Sequence, residues 1–391
     1  MQRWFEAWRR FRRERAGARA FHALPRSRRR IVFYAEGPGY WSHFEPVFRS
    51  LRDDHGQEVV YVTSAEDDPR LTAPPPGLVP FYIGSGTVRT LFFAGLDADV
   101  MLMTLPDLHC YHIKRSPHRV HYVYLHHSLV STHMVYRPAA FDHFDSILCV
   151  GPHHVAETRA REQQQGLPAK HLVEHGYGRL DTILAEGVAG PPERDREEPP
   201  VVLVAPSWGE HGLIENHGEA VVAALLNSGL QVILRPHPRT RLFHGRILDS
   251  ISARFGERED FRLDEETDSR ASLLAADLMV SDWSGAALEF ALGLERPVLF
   301  VDVPRKVQNP DYTALGIEPL EVRIRETLGE IVFPDELAEL GRRAQLLLAR
   351  ASDWQARIRE ARSQHVFNPG RSGRVAADYL VSLTRGVGND T

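Results

Sequence analysis

Short apolar runs alternate along the chain with segments of helical period. IVFYA follows RRR near residue 31, and EVVYVTS, VPFYIGS, ADVMLMTLP, HRVHYVYLHH and DSILCVG come after it. Between them, Ser42 to Arg52, TVRTLFFAGL and HHVAETRAREQQQ carry helical spacing, and LVEHGYGRLD closes the series. A second series then begins with VVLVAPS, QVILRPHP, FRLDEE, DLMVSDW and RPVLFVDVP. Continuous β-branched and aromatic runs separated by helices predict parallel strands covered on both faces. Residues 335–385 read as helical apart from FNPGRSGR. GVAGPPERDREEPP, residues 187–200, is rich in Pro, Gly and charge and reads as a linker.

The pattern predicts an α/β protein of two Rossmann-like, doubly wound domains facing a central cleft. The expected division is a basic N-terminal arm at 1–28, one domain at 29–186, the linker at 187–200, and a second domain with its C-terminal helices at 201–385. In open parallel sheets ligands bind beyond the carboxyl ends of the strands. The residues that end strands are therefore where chemistry is expected.

Composition changes this picture in two places. With 43% apolar and 25% charged residues, a large core is possible, and no run of about 20 apolar residues suggests a membrane span. The N-terminus has no apolar core of a secretory signal, and two cysteines provide no disulfide framework, so a cytosolic location is expected. The net charge of -5 hides an asymmetry: residues 1–30 hold 11 arginines against two acids, +9, which leaves -14 for the rest. Trp4, Phe5, Trp8 and Phe11 share one helical face among those arginines. A basic helix with an aromatic stripe suits an anionic membrane surface, with packing on the protein itself and binding of nucleic acid by the arginines as the rivals. Nucleic acid is not expected as a partner.

Three strand ends carry candidate chemistry. In VSDWSGAALEF, Ser284 is placed to cap a helix, Gly285 lets a ligand approach the backbone, and Asp282 and Glu289 flank them; such a helix start suits phosphate. Glu289 is one turn in, within reach of ribose hydroxyls. In QVILRPHPRT, prolines on both sides present His237 rigidly beside Arg235, Arg239 and Arg241, a group suited to phosphoryl oxygens. In HRVHYVYLHHSLVSTH, the strand delivers His126 and His127, either of which could take a proton from an alcohol. Nearby histidines lack a compact ligand spacing, and no metal is expected. Ser207 ends VAPS, and Gly37 and Gly39 lie in AEGPGYWSHFEP, a loop that could meet an acceptor.

Together these tracts resemble the CDP-glycerol glycerophosphotransferase family, over roughly residues 30–385. HHS stands where the family has His-Gly-Thr, VAPSW where it has Ala-Pro-Thr, and RPHP where it has Pro-His-Pro. VSDWSGAALEFALGLERPVLF is similar to its Asp-Tyr-Ser-Ser segment with the helix and strand beyond it, and HGYGRLD to its Gly-Tyr-Pro-Arg-Asn-Asp tract. The resemblance implies a GT-B fold, a donor pyrophosphate held by His237, Ser284 and the Gly285 amide, and a first-half histidine as base. His127 is preferred because a small residue comes after it, with His126 as the alternative. The family's second serine is Gly285 here, so only a backbone N–H can serve there.

The implied activity is transfer of glycerol phosphate, or a similar polyol phosphate, from a CDP-activated donor to a hydroxyl of a membrane-associated glycan or lipid-linked acceptor. It would act in cell-surface polymer synthesis at the inner face of the membrane, with no obligatory cofactor. The alternatives are a glycosyltransferase using a nucleotide sugar, a nucleotide-sugar 2-epimerase and a non-catalytic relative.

Overall fold

The computed structural model describes residues 2–187, 198–266 and 270–385. Its longer helices are α1 (Gln2–Ala23), α2 (Trp41–Asp53), α3 (Thr87–Ala94), α4 (Pro152–Gln165), α5 (Gly178–Gly187), α6 (Leu213–Leu226), α7 (Pro238–Phe255), α8 (Gly285–Leu294), α9 (Leu340–Ala349), α10 (Ala351–His365) and α11 (Ser372–Arg385). The chain forms two compact units. The first comprises Met1–His127, Tyr136–Arg179 and Val366–Thr391; the second comprises Ser128–Val135 and Leu180–His365.

The first unit is built on seven strands: β1 (Ile31–Ala35), β2 (Val59–Thr63), β3 (Leu78–Tyr82), β4 (Val100–Met103), β5 (His121–Leu125), β6 (Ser146–Cys149) and β7 (His171–Glu174). All pairings are parallel, in the order β3-β2-β1-β4-β5-β6-β7. Because successive side chains of a strand point to opposite faces, each strand feeds two cores. Val32, Tyr34, Met101, Met103, Tyr122 and Tyr124 pack with Phe92 and Phe93 of α3 and Phe21 of α1. Ile31, Phe33, Leu102, Val123 and Leu125 pack with Phe44, Val47, Phe48 and Leu51 of α2 and Ala376, Ala377 and Leu380 of α11.

The second unit has six strands: β8 (Val201–Val204), β9 (Gln231–Leu234), β10 (Phe261–Leu263), β11 (Leu278–Ser281), β12 (Val298–Val301) and β13 (Gly329–Val332). Their order, β10-β9-β8-β11-β12-β13, is again all parallel. Winding reverses between β8 and β11, which makes the ends of those two strands the expected ligand position.

The division of the chain differs from the expected one in three respects. α1 is not a separate arm ending at 28: Phe21 is fully buried, 4.7 Å from the Phe92 ring, and the Tyr82 carbonyl comes so close to Gly17 that a Cβ there would sit 2.0 Å from it. α11 leaves the second domain and covers the first sheet, because its apolar face matches α2 and not α10. Ser128–Val135 belongs to the second unit although the residues on both sides of it belong to the first. Residues 188–197 of the expected linker lie outside the described residues. The strand at β13 was not predicted, since its few apolar residues come directly after a helical stretch.

Candidate functional site

The second unit gathers its polar residues at the carboxyl ends of β8, β9, β11 and β12. At β11, Ser281 and Asp282 are buried and α8 begins at once. Ser284 caps it, its Oγ accepting from the Ala286 N–H at 3.3 Å. Apolar Ala287, Leu288, Phe290 and Ala291 bury the helix, so its start is fixed and its first N–H groups remain at the strand ends. The group next to Gly285 is Ser128: a Cβ at Gly285 would lie 3.1 Å from its Oγ, which would have to shift slightly.

Asp282, expected at the donor phosphates, is held within the protein. Its Oδ1 accepts from the Ser207 N–H at 2.6 Å, and its Oδ2 from the Ser207 hydroxyl at 3.1 Å and the Leu213 N–H at 3.4 Å. The carboxylate thus ties the loop after β8 to the end of β11 across the switch point. Burial raises its pKa, and the Ser207 hydrogen bonds oppose that shift. Glu289, expected to reach hydroxyls, is almost fully enclosed in α8.

At the end of β9, Pro236 and Pro238 bracket His237, and a helix does come next. Proline is tolerated at the first helical position because its missing N–H would have no partner there, so α7 starts at Pro238 with His237 as its cap. Nδ1 accepts from the Arg239 N–H at 3.1 Å. That bond fixes the tautomer: the neutral ring carries its proton on Nε2 and presents it as a donor. Burial, reinforced by Lys306 and Arg239, lowers the His237 pKa to about 4. Arg235 turns toward the loop after β10, donating to the Glu266 carbonyl at 3.2 Å and to the Ser272 hydroxyl at 3.4 Å.

Two further groups stand here, of which sequence reasoning missed Lys306. Trp208, next to Ser207, has its ring 5.9 Å from that of His237 and 6.1 Å from that of Phe243. Lys306, beyond β12, donates to the Trp208 carbonyl at 3.0 Å. Trp208 was visible in VAPSW as a bulky residue at a strand end, whereas nothing in VDVPRKV marks Lys306. His237 and Ser284 therefore flank the Ser207–Trp208 loop, one on the strand to each side of β8.

In the first unit, β5 delivers the histidine pair. His126 is 3% exposed, its ring stacked 3.8 Å from His154 and edge-on to Tyr124. His127 is only partly enclosed, among Tyr40, His43 and Tyr136. The Tyr124 hydroxyl lies 3.4 Å from its Nδ1 and that of Tyr136 3.3 Å from its Nε2, while the Tyr177 hydroxyl donates to its carbonyl at 3.1 Å. A hydrogen bond to the Thr104 backbone opposes the loss of basicity that burial imposes, and the pKa falls to about 4. Gly37 and Gly39 lie after β1; Gly37 precedes a single tight turn at Pro38–Tyr40 and has open space where a side chain would be. Among the described residues no three His, Cys, Asp or Glu side chains are grouped to hold a metal.

The family described as CDP-glycerol:poly(glycerophosphate) glycerophosphotransferase matches residues 18–304. A search of curated protein sequences gave no match. Among solved structures, the wall teichoic acid polymerase TagF is similar at 11% identity and a TM-score of 0.61, over 96% of this chain and 94% of that one. A UDP-N-acetylglucosamine 2-epimerase from Listeria monocytogenes, described as putative, is similar at 13% identity and 0.59, over 93% and 98%. The UDP-GlcNAc 2-epimerase of Methanocaldococcus jannaschii is similar at 13% and 0.54, over 91% and 100%. At such identities these neighbours establish the fold, which is GT-B-like. The match over residues 18–304 includes both histidines of the 126–127 pair, the RPHP turn and the start of α8, and the chain belongs to the CDP-glycerol:poly(glycerophosphate) glycerophosphotransferase family.

Proposed function

We propose that the protein transfers a glycerol-phosphate or similar polyol-phosphate unit from a CDP-activated donor to a hydroxyl of a glycan or lipid-linked acceptor, in teichoic-acid-type polymer synthesis. The observation that carries this reading is the cap of α7: a histidine whose Nδ1 is occupied must offer Nε2–H, beside a second helix start at Ser284. Two such fixed donors suit a pyrophosphate, whose negative charge favours helix N-termini.

In this mechanism the donor pyrophosphate accepts from His237 Nε2–H and from the free N–H groups at Ser284 and Gly285. Asp282 contributes by holding Ser207, not by touching the donor. The acceptor hydroxyl gives its proton to the neutral ring of His127 as its oxygen attacks the phosphorus distal to cytidine. The bond from that phosphorus to the bridging oxygen breaks, its electron pair stays with the nucleotide, and CMP leaves. Preorganised donors that need not reorient during reaction supply most of the stabilisation in such transfers. His127 is the base in preference to His126, whose ring is spent in packing against His154.

We also infer a membrane-surface role for α1. Trp4, Phe5, Trp8 and Phe11 remain 71%, 54%, 44% and 42% exposed while Phe21 on the same helix is buried. Arginine and exposed aromatics together suit an anionic interface. No helix among the described residues is long and apolar enough to cross a membrane.

The test is CMP release from CDP-glycerol, CDP-ribitol and nucleotide sugars by purified protein with a polyol-phosphate-primed acceptor. CMP release from a CDP-polyol is expected; turnover of a nucleotide sugar alone would replace this reading with a glycosyltransferase.

A further inference from the structure

Several cations of the second unit meet acids. Arg241 pairs with Glu265 and Asp249, Arg325 with Asp302, and Arg359 and Arg362 share Glu295. Lys306 and Arg239 do not. Neither has a carboxylate within 4.0 Å among the described residues. Both converge instead on one indole: Lys306 Nζ lies 4.1 Å from the centre of the Trp208 ring and the Arg239 guanidinium carbon 4.6 Å from it.

Such an arrangement is costly by itself. Burial removes part of the hydration of Lys306 and lowers its pKa, Asp282 and Glu215 oppose that shift, and Arg239, itself exposed, adds to it; both cations also lower the pKa of His237. An indole face offers each cation only about 0.5–2 kcal/mol. Asp282 and Glu215 act on Lys306 only from beyond contact distance, and a pair of cations that no carboxylate touches, at strand ends on the ligand side of a doubly wound sheet, is complementary to an anion.

We infer that Trp208, Lys306 and Arg239 form a cationic cradle for the phosphate of the nucleotide leaving group. The inference rests on the proposed reaction and adds to it the groups that meet the charge it creates. As the bond between the transferred phosphorus and the bridging oxygen breaks, the electron pair remains on CMP, whose phosphate gains a full negative charge. Lys306 stays protonated and donates to that phosphate. Trp208 holds the ammonium in place through its face and its carbonyl, and Arg239 supplies the second positive charge.

The experiment titrates CMP and inorganic pyrophosphate into full-length wild-type, Lys306→Met and Lys306→Arg protein by calorimetry, with Tm measured with and without ligand. Lys306→Met is expected to weaken CMP at least tenfold and to shrink the CMP-induced rise in Tm. Lys306→Arg should recover most of the affinity. The ligand-free Tm of Lys306→Met should equal or exceed that of wild type, because a partly desolvated charge that no carboxylate touches has gone. Unchanged CMP affinity in Lys306→Met, or a lower ligand-free Tm, would overturn the cradle. If pyrophosphate binding depends on Lys306 but CDP-glycerol is not turned over, the cradle stands and the proposed reaction fails. If Lys306→Met releases CMP at the wild-type rate, the reverse holds.

Discussion

His126 and His127 leave the same strand on opposite sides, and the side decides what each can do. Alternation of side chains sends one ring under α4, where His154 stacks on it, and the other toward Tyr40 and Tyr136. His127→Gln should therefore lower kcat by about 10²–10⁴-fold, the usual range for a lost general base, whereas His126→Phe should retain turnover within a few-fold. The acid limb of kcat/KM, which reports the free enzyme, should fall below pH 6, because burial holds His127 near 4. The same burial has a cost in stability. His43 and His126 are held well below the ordinary histidine value, and His127 and His175 near 4. Between about 4 and the unfolded value of about 6.5 the unfolded chain binds more protons than the native one, so stability falls as pH drops through that window, by up to about 1.4 kcal/mol per pH unit for each histidine. Thermal unfolding at pH 7 and pH 5 should show a clear loss at pH 5, smaller in His126→Phe. The presence of the pair was legible in HYVYLHHS; which ring was buried was not, because that depends on α4, which packs from a distant part of the chain. The tract SDWS was legible as a strand end and helix cap, but the partners of Asp282 were not, because Ser207 and Leu213 lie some 70 residues earlier in the chain.

At the scale of elements, α1 has two halves with opposite solvents. Phe21 fills the space between α3 and β3, and Phe21→Ala should cost about 3–5 kcal/mol, as for other buried phenylalanines, read as a lower denaturant midpoint. The double change Trp4→Ala and Trp8→Ala should leave that midpoint unmoved and reduce binding to anionic vesicles in a flotation assay. Loss of stability in the double variant would show that these rings pack on the protein. The aromatic stripe was legible from its spacing, yet the anchoring half was not, since Ala18 and Phe21 gain their meaning only from the Tyr82 carbonyl beside Gly17 and the ring of Phe92. Eleven of the thirteen strands were legible, most of them as continuous apolar runs; β7 is half-exposed, β13 is interrupted by Glu330, and both are short and at the edge of their sheets.

At the scale of the whole molecule, the sequence suggested one domain after another and the chain does otherwise. A linker rich in Pro and Gly marks where a boundary is cheap, but it carries no information about where later helices return. α11 supplies Ala376, Ala377, Leu380 and Val381 to the core under α2, and Phe367 donates its N–H to the Val150 carbonyl at 2.8 Å. Removing residues 366–391 should therefore unfold the first unit while the second keeps its own transition in calorimetry; two unchanged transitions would refute this. The segment from Ser128 to Val135 is likewise pinned inside the second unit, the Ser131 N–H donating to Glu321 at 2.8 Å and the Ser131 hydroxyl accepting from the Leu320 N–H at 2.6 Å.

The return of α11 bears on how the protein is made. On a ribosome the first seven strands emerge early, yet the helix that completes, with α2, the layer on one side of their sheet is encoded beyond residue 365, after the second unit has been synthesised. At about 5–20 residues per second, some 186 further residues leave that apolar sheet waiting for roughly 10–40 seconds. The nascent chain is thus a natural client for a holding chaperone, until translation reaches the helix that closes it.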